Sequence, residues 1–213
     1  MSVTTQPTVE RLRAEGLLAV LRAPSAAAAV RTAHALADGG IAAIEVTFTT
    51  PGAPEAIAEL AQDPRLFVGA GTVRDARQAE AAIDAGAAYL VSPGLLWPVV
   101  DAGEQAGVLT LPGVLTPTEV AHAAERVDVL KLFPASVGGP AYLKALLAPF
   151  PDLRLVPTGG VNADNLGEWR AAGAFALGAG GDLCPSDLIA AGDFAAVTDR
   201  ARRYRAALDR MEA

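Results

Sequence analysis

Short aliphatic runs alternate along this chain with alanine-rich stretches of helical period, and nearly every changeover carries Gly, Pro, Ser, Thr or Asp. An apolar residue every three or four positions asks for a helix packed on one face. An unbroken run such as Leu17-Leu18-Ala19-Val20-Leu21 asks instead for a strand covered on both sides, as in a parallel sheet. Eight strands are predicted on this basis, at residues 17–22, 42–47, 66–70, 89–92, 108–111, 127–133, 153–158 and 175–177. Helices are expected between them, for example over 25–37, 75–85 and 163–172, with two end helices over 8–15 and 194–210. The repeat is about 20 to 27 residues, close to the minimum for a strand, a loop and a returning helix. Gly86, Gly107 and Gly173 each follow a predicted helix and precede a strand, where a left-handed cap residue is wanted.

The expected fold class is α/β: one (β/α)8 TIM barrel with an extra N-terminal helix, occupying residues 1–213 as a single domain. An open doubly wound sheet has the same local pattern and stays open as an alternative. With 52% hydrophobic residues the chain has enough apolar material for a continuous core. A net charge of −7 without a Lys/Arg cluster argues against nucleic acid or an anionic membrane as partner. A small anionic ligand would need local donors working against that field. Cys184 is the only cysteine, which excludes an intramolecular disulfide, and His34 and His122 lie far apart in helical stretches, so no metal site is expected. Residues 1–7 carry no secretory pattern and no apolar stretch reaches spanning length, so a soluble cytoplasmic protein is expected.

In a parallel barrel, chemistry collects where strands end and βα loops begin. Five polar residues fall there: Arg22, Glu45, Thr72, Lys131 and Thr158. Strand alternation sets Lys131 on one face with Val127, Val129 and Phe133, the face expected to point into the barrel. Burial disfavours an ammonium and favours a neutral, nucleophilic amine. A purely structural buried ion pair would account for the same lysine. Glu45, set among apolar residues in Ile44-Glu45-Val46-Thr47, is either that structural partner or a group that moves protons beside an imine-forming amine. Two glycine clusters, Thr158-Gly159-Gly160-Val161-Asn162 and Gly178-Ala179-Gly180-Gly181-Asp182, follow the last two strands, where barrels often bind phosphate through backbone amides. Taken singly, each is equally a tight turn.

Seven ordered segments carry a family resemblance. They are Leu18-Ala19-Val20-Leu21-Arg22, Gly39-Gly40-Ile41 leading to Ile44-Glu45-Val46-Thr47, and Val68-Gly69-Ala70-Gly71-Thr72-Val73. Then come Ser92-Pro93-Gly94, Pro112-Gly113-Val114 with Thr116-Pro117-Thr118-Glu119, Lys131-Leu132-Phe133-Pro134, and Pro157-Thr158-Gly159-Gly160-Val161. On them the chain resembles the bacterial 2-keto-3-deoxy-6-phosphogluconate (KDPG) and 4-hydroxy-2-oxoglutarate (KHG) aldolases, the pyruvate aldolases of the Entner-Doudoroff route, over about residues 12–190. The resemblance implies that Lys131 is the Schiff-base lysine and Glu45 the general acid/base. It implies that Thr72, Pro93 and Phe133 line a pyruvate pocket and that Gly159, Gly160, Gly180 and Gly181 hold a phosphate. It also implies a homotrimer with no metal or organic cofactor, acting on a keto-acid sugar phosphate.

Two departures stand out. Where some members carry an arginine after the glutamate, this chain has Phe48-Thr49-Thr50, so Arg22 is assigned to the substrate carboxylate. Gly181, followed by Asp182, stands where a serine is often found, and that Asp with Gly139-Pro140-Ala141-Tyr142 resembles the 2-keto-3-deoxy-6-phosphogalactonate branch. The expected reaction is retro-aldol cleavage of KDPG to pyruvate and glyceraldehyde 3-phosphate. The galactonate epimer, a phosphosugar isomerase or synthase on the same fold, and a non-catalytic sugar-phosphate binder remain alternatives. Lys144, in a predicted helix, is read as surface charge.

Overall fold

The computed structural model describes residues 5–212. Its elements follow the expected alternation: α1 (Gln6–Glu15), β1 (Leu17–Leu21), α2 (Ala26–Asp38), β2 (Ala43–Thr47), α3 (Ala53–Leu60), β3 (Phe67–Gly71), α4 (Ala76–Asp84), β4 (Tyr89–Val91), α5 (Trp97–Ala106) and β5 (Leu109–Leu111). Then come β6 (Gly113–Val114), α6 (Pro117–Ala124), β7 (Val129–Leu132), a 3-10 turn (Ala135–Val137), α7 (Gly139–Leu147), β8 (Arg154–Pro157), α8 (Leu166–Ala171), β9 (Leu177–Ala179), α9 (Ser186–Ala191) and α10 (Phe194–Glu212).

All strand pairs are parallel. Six strands form one sheet in the order β5-β4-β3-β2-β1-β9, and β6-β7-β8 form a second. The strand expected over 108–111 is present as β5, and a further short strand, β6, follows beyond Pro112. Proline has no N–H for the ladder, so the pairing breaks there, but its carbonyl still accepts from the Lys131 amide at 3.0 Å. At the other edge the Phe175 amide donates to the Leu155 carbonyl at 2.9 Å, and Thr158 bridges Gly178 in parallel. The two sheets therefore meet at both edges and curl around a common interior.

Side chains sort by strand alternation into two cores. Outward residues such as Ala19, Ile44, Val68, Leu90, Leu130 and Leu155 pack with the helices. Inward residues Leu18, Ala43, Phe67, Tyr89, Leu109, Val129, Val156 and Ala176 form a separate cluster with Val9 and Leu12 of α1. Helix α1 thus closes the N-terminal end of the ring, where Arg11 also donates to the Leu66 carbonyl at 3.0 Å and lies over the Phe67 ring. Val127 departs from expectation: it precedes β7 and belongs to the outer core, so it does not share the Lys131 face.

Leu12 is fully buried in that plug. Leu12→Ala is expected to lower unfolding free energy by about 2–4 kcal/mol through lost burial and the cavity left behind, read as a lower urea midpoint at unchanged slope.

Candidate active site

Alternation along β2 turns Ala43, Glu45 and Thr47 inward while Ile44 and Val46 face helices. Along β7 it turns Val129 and Lys131 inward while Leu130 and Leu132 face helices. The two polar groups meet inside: Lys131 Nζ donates to Glu45 Oε1 at 3.3 Å, with side chains 7% and 1% exposed. Glu45 is the deeper of the two, and Lys131 lies between it and the cavity. Removing Lys131 would take from the Glu45 carboxyl the one side-chain hydrogen-bond partner it has among the described residues.

The surroundings leave room for this pair by withholding side chains. Gly71 on β3 has no Cβ, and any Cβ there would overlap the Glu45 carboxylate. Beneath, Gly69 makes space for the Tyr89 ring, whose hydroxyl donates to the Ile44 carbonyl at 2.9 Å and floors the site. The next residue, Thr72, sits at φ +54°, a left-handed conformation that costs a β-branched residue about 1–3 kcal/mol. The neighbouring strands hold it there: the Phe48 amide donates to the Gly71 carbonyl at 2.8 Å and the Val73 amide to the Val91 carbonyl at 3.1 Å. The Phe133 ring centroid lies 5.4 Å from Lys131 Nζ.

Above Lys131 opens a cavity of 510 Å³. Arg22, Thr72, Pro93, Lys131, Phe133, Thr158, Gly159, Gly160, Gly180 and Gly181 all line it. Glu45 does not: it lies beneath and reaches the cavity through Lys131. Lys144 is exposed on α7, outside that lining. Arg22 lies one residue beyond β1, exposed, and its guanidinium has no ion-pair or hydrogen-bond partner among the described residues.

At the far end of the cavity Gly159 and Gly160 take φ of +95° and +79°, which only glycine adopts freely. Asn165 fixes this loop by donating to the Gly160 carbonyl at 2.8 Å and accepting from the Asn162 amide at 2.9 Å. The amides of Gly160, Val161 and Gly181 donate to no protein acceptor among the described residues, so three N–H groups are left for a ligand in loops that line the cavity.

Sequence reading missed Val20, which alternation on β1 would have turned inward, and it missed the attachment of Asp182. The Asp182 carboxylate accepts from the Tyr204 hydroxyl at 2.7 Å, and Arg200 Nη1 stands 3.9 Å away, both residues being on α10. Burial, then the bond to Asp182, raises the Tyr204 phenol above its ordinary range, so it stays a donor. Burial likewise pushes the Cys184 thiol up to about 12, leaving it inert. Among the described residues no cluster of three His, Cys, Asp or Glu could hold a metal, and no helix is long and apolar enough to cross a membrane.

Residues 8–200 match the family model described as KDPG and KHG aldolase. The chain belongs to the KDPG and KHG aldolase family. It is 40% identical to the 2-dehydro-3-deoxy-phosphogluconate aldolase of Treponema pallidum over 92% of this chain and 93% of that one. It is 36% identical to the KHG/KDPG aldolase of Escherichia coli K12 over 82% and 83%. Among solved structures it resembles the Legionella pneumophila KDPG aldolase holding pyruvate as a covalent carbinolamine intermediate, with a TM-score of 0.84 and 30% identity over 91% of this chain and 96% of that chain. It is thus an aldolase, a lyase acting on carbon–carbon bonds.

Gly71→Ala is expected to push the Glu45 carboxylate aside, because the far end of a side chain yields more cheaply than backbone. A crystal structure of the variant should show the Glu45–Lys131 contact longer than 3.3 Å in an otherwise unchanged fold.

Proposed function

We propose that this aldolase cleaves and forms KDPG through a Schiff base on Lys131. The observation that carries the reading is one amine held against one carboxylate at the base of a cavity whose opposite end offers unused amides. Lys131 Nζ adds to the C2 ketone, giving a carbinolamine that loses water to form a protonated imine. Glu45, relayed by a water molecule because it lies beneath the cavity, takes the C4 hydroxyl proton as the C3–C4 bond breaks, and the bonding pair flows into the imine to leave an enamine and glyceraldehyde 3-phosphate. The enamine then takes a proton at C3, and water releases pyruvate. The carbinolamine captured in the Legionella relative supports the first step.

In this reading Thr72, Pro93 and Phe133 enclose the three-carbon half and Arg22 pairs with its carboxylate, since an unpaired guanidinium at the cavity wall suits a planar anion. The Gly159-Gly160 and Gly180-Gly181 loops with Thr158 take the phosphate. The epimeric galactonate phosphate is the second reading, favoured by the Gly181-Asp182 pair. We further propose that β5 and β6 count as one strand of a closed (β/α)8 barrel, that residues 1–213 form one domain, whose ends lie outside the described residues, and that the protein assembles as a homotrimer.

Borohydride reduction in the presence of pyruvate is expected to leave a reduced pyruvyl adduct on Lys131 by peptide mass, and Lys131→Met should abolish both adduct and pyruvate release. An adduct elsewhere, or none, would refute the mechanism. Arg22→Met is expected to raise KM for keto-acid substrates about tenfold or more with a smaller change in kcat, the pattern of lost carboxylate binding.

A further inference from the structure

The last helix is tied to both glycine loops of the cavity. Arg203 Nη2 contacts both Asp164 oxygens at 2.7 Å, two residues beyond Asn162 at the cavity wall. Arg200 Nη1 donates to the Asp182 carbonyl at 2.8 Å and stands 3.9 Å from its carboxylate, which also accepts from Tyr204 at 2.7 Å. Positions 200, 203 and 204 fall at i, i+3 and i+4, on one helical face. The helix itself cannot drift: Val197, Ala201, Tyr204 and Leu208 are buried, Gly39 meets Ala201 without room for a Cβ, and Thr198 donates to the Ala35 carbonyl at 2.9 Å.

This attachment resolves a conflict within the cavity. Among the described residues Asp182 is the one carboxylate lining it, and it follows directly on Gly181, whose free amide is part of the anion cradle. An unrestrained carboxylate there would compete with a bound phosphate for the same donors and repel it. With one oxygen capped by a buried phenol and an arginine alongside, its charge is drawn toward α10.

We propose that Tyr204 and Arg200 are positioning residues that restrain and partly neutralise Asp182, so that the cradle presents amides to the substrate phosphate. The inference rests on the phosphate-end assignment above. It predicts that a helix remote from the reacting atoms sets selectivity for phosphorylated over unphosphorylated substrates.

The test compares KM and kcat for KDPG and for its unphosphorylated counterpart, with inhibition by inorganic phosphate as an independent probe, in Tyr204→Phe, Asp182→Asn and the double variant. Tyr204→Phe keeps the buried ring and is expected to raise KM for KDPG and Ki for phosphate about five- to tenfold, while KM for the unphosphorylated acid stays within about twofold. Adding Asp182→Asn should restore the KDPG value, because an amide carries no charge to restrain. Arg200→Met, at a half-exposed site, gives a second variant should Tyr204→Phe fold poorly; the same direction of change is expected. Equal changes for both substrates, no change for either, or no rescue by Asp182→Asn would overturn the proposal. A wild-type enzyme that forms no Lys131 adduct would instead refute the parent reading.

Discussion

A single buried contact, Lys131 against Glu45, constrains the rest of this molecule. Glu45 is set below the cavity with Lys131 as its side-chain partner, and that contact ties β7 to β2 across the interior. The neighbouring strands accommodate that demand by omission. Gly69 and Gly71 leave volume for Tyr89 and for the carboxylate, and Gly113 lets β6 approach the Pro93 backbone. Small residues in these strands are therefore not weak points of an apolar sheet; they are the mould in which the ion pair sits.

Much of this was legible in the chain because strand alternation and glycine punctuation are local signals. Lys131 and Glu45 could be set on inward faces from their neighbours alone, and Gly86, Gly107 and Gly173 marked helix ends that the structure places at φ of +89°, +67° and +101°. The loops that line the cavity were recognisable because two glycine clusters follow consecutive strands, although either one alone reads equally as a tight turn.

What escaped had non-local causes. The final strand was expected over 175–177 but runs Leu177–Ala179, since Gly178 and Ala179 have little intrinsic strand preference and are held by pairing with β1. The strand was expected to stop at Leu111, but the Pro112 carbonyl continues the ladder across the break. The last helix was expected over 194–210 with no role for its arginines. Only folding brings Arg200, Arg203 and Tyr204 against residues 18 to 39 positions earlier.

Helix α1 packs Val9 and Leu12 against the inward residues at the N-terminal ends of the strands, opposite the cavity that would take the reactants. In the proposed reaction the covalent bond to Lys131 sets the order in which the fragments leave. The aldehyde half, bound only by contacts, departs while the three-carbon half is still covalently attached, and any aldehyde that wanders back in meets a waiting enamine. Bond making and bond breaking then follow one path in opposite senses, with the net direction set by the amounts of pyruvate, aldehyde and KDPG together.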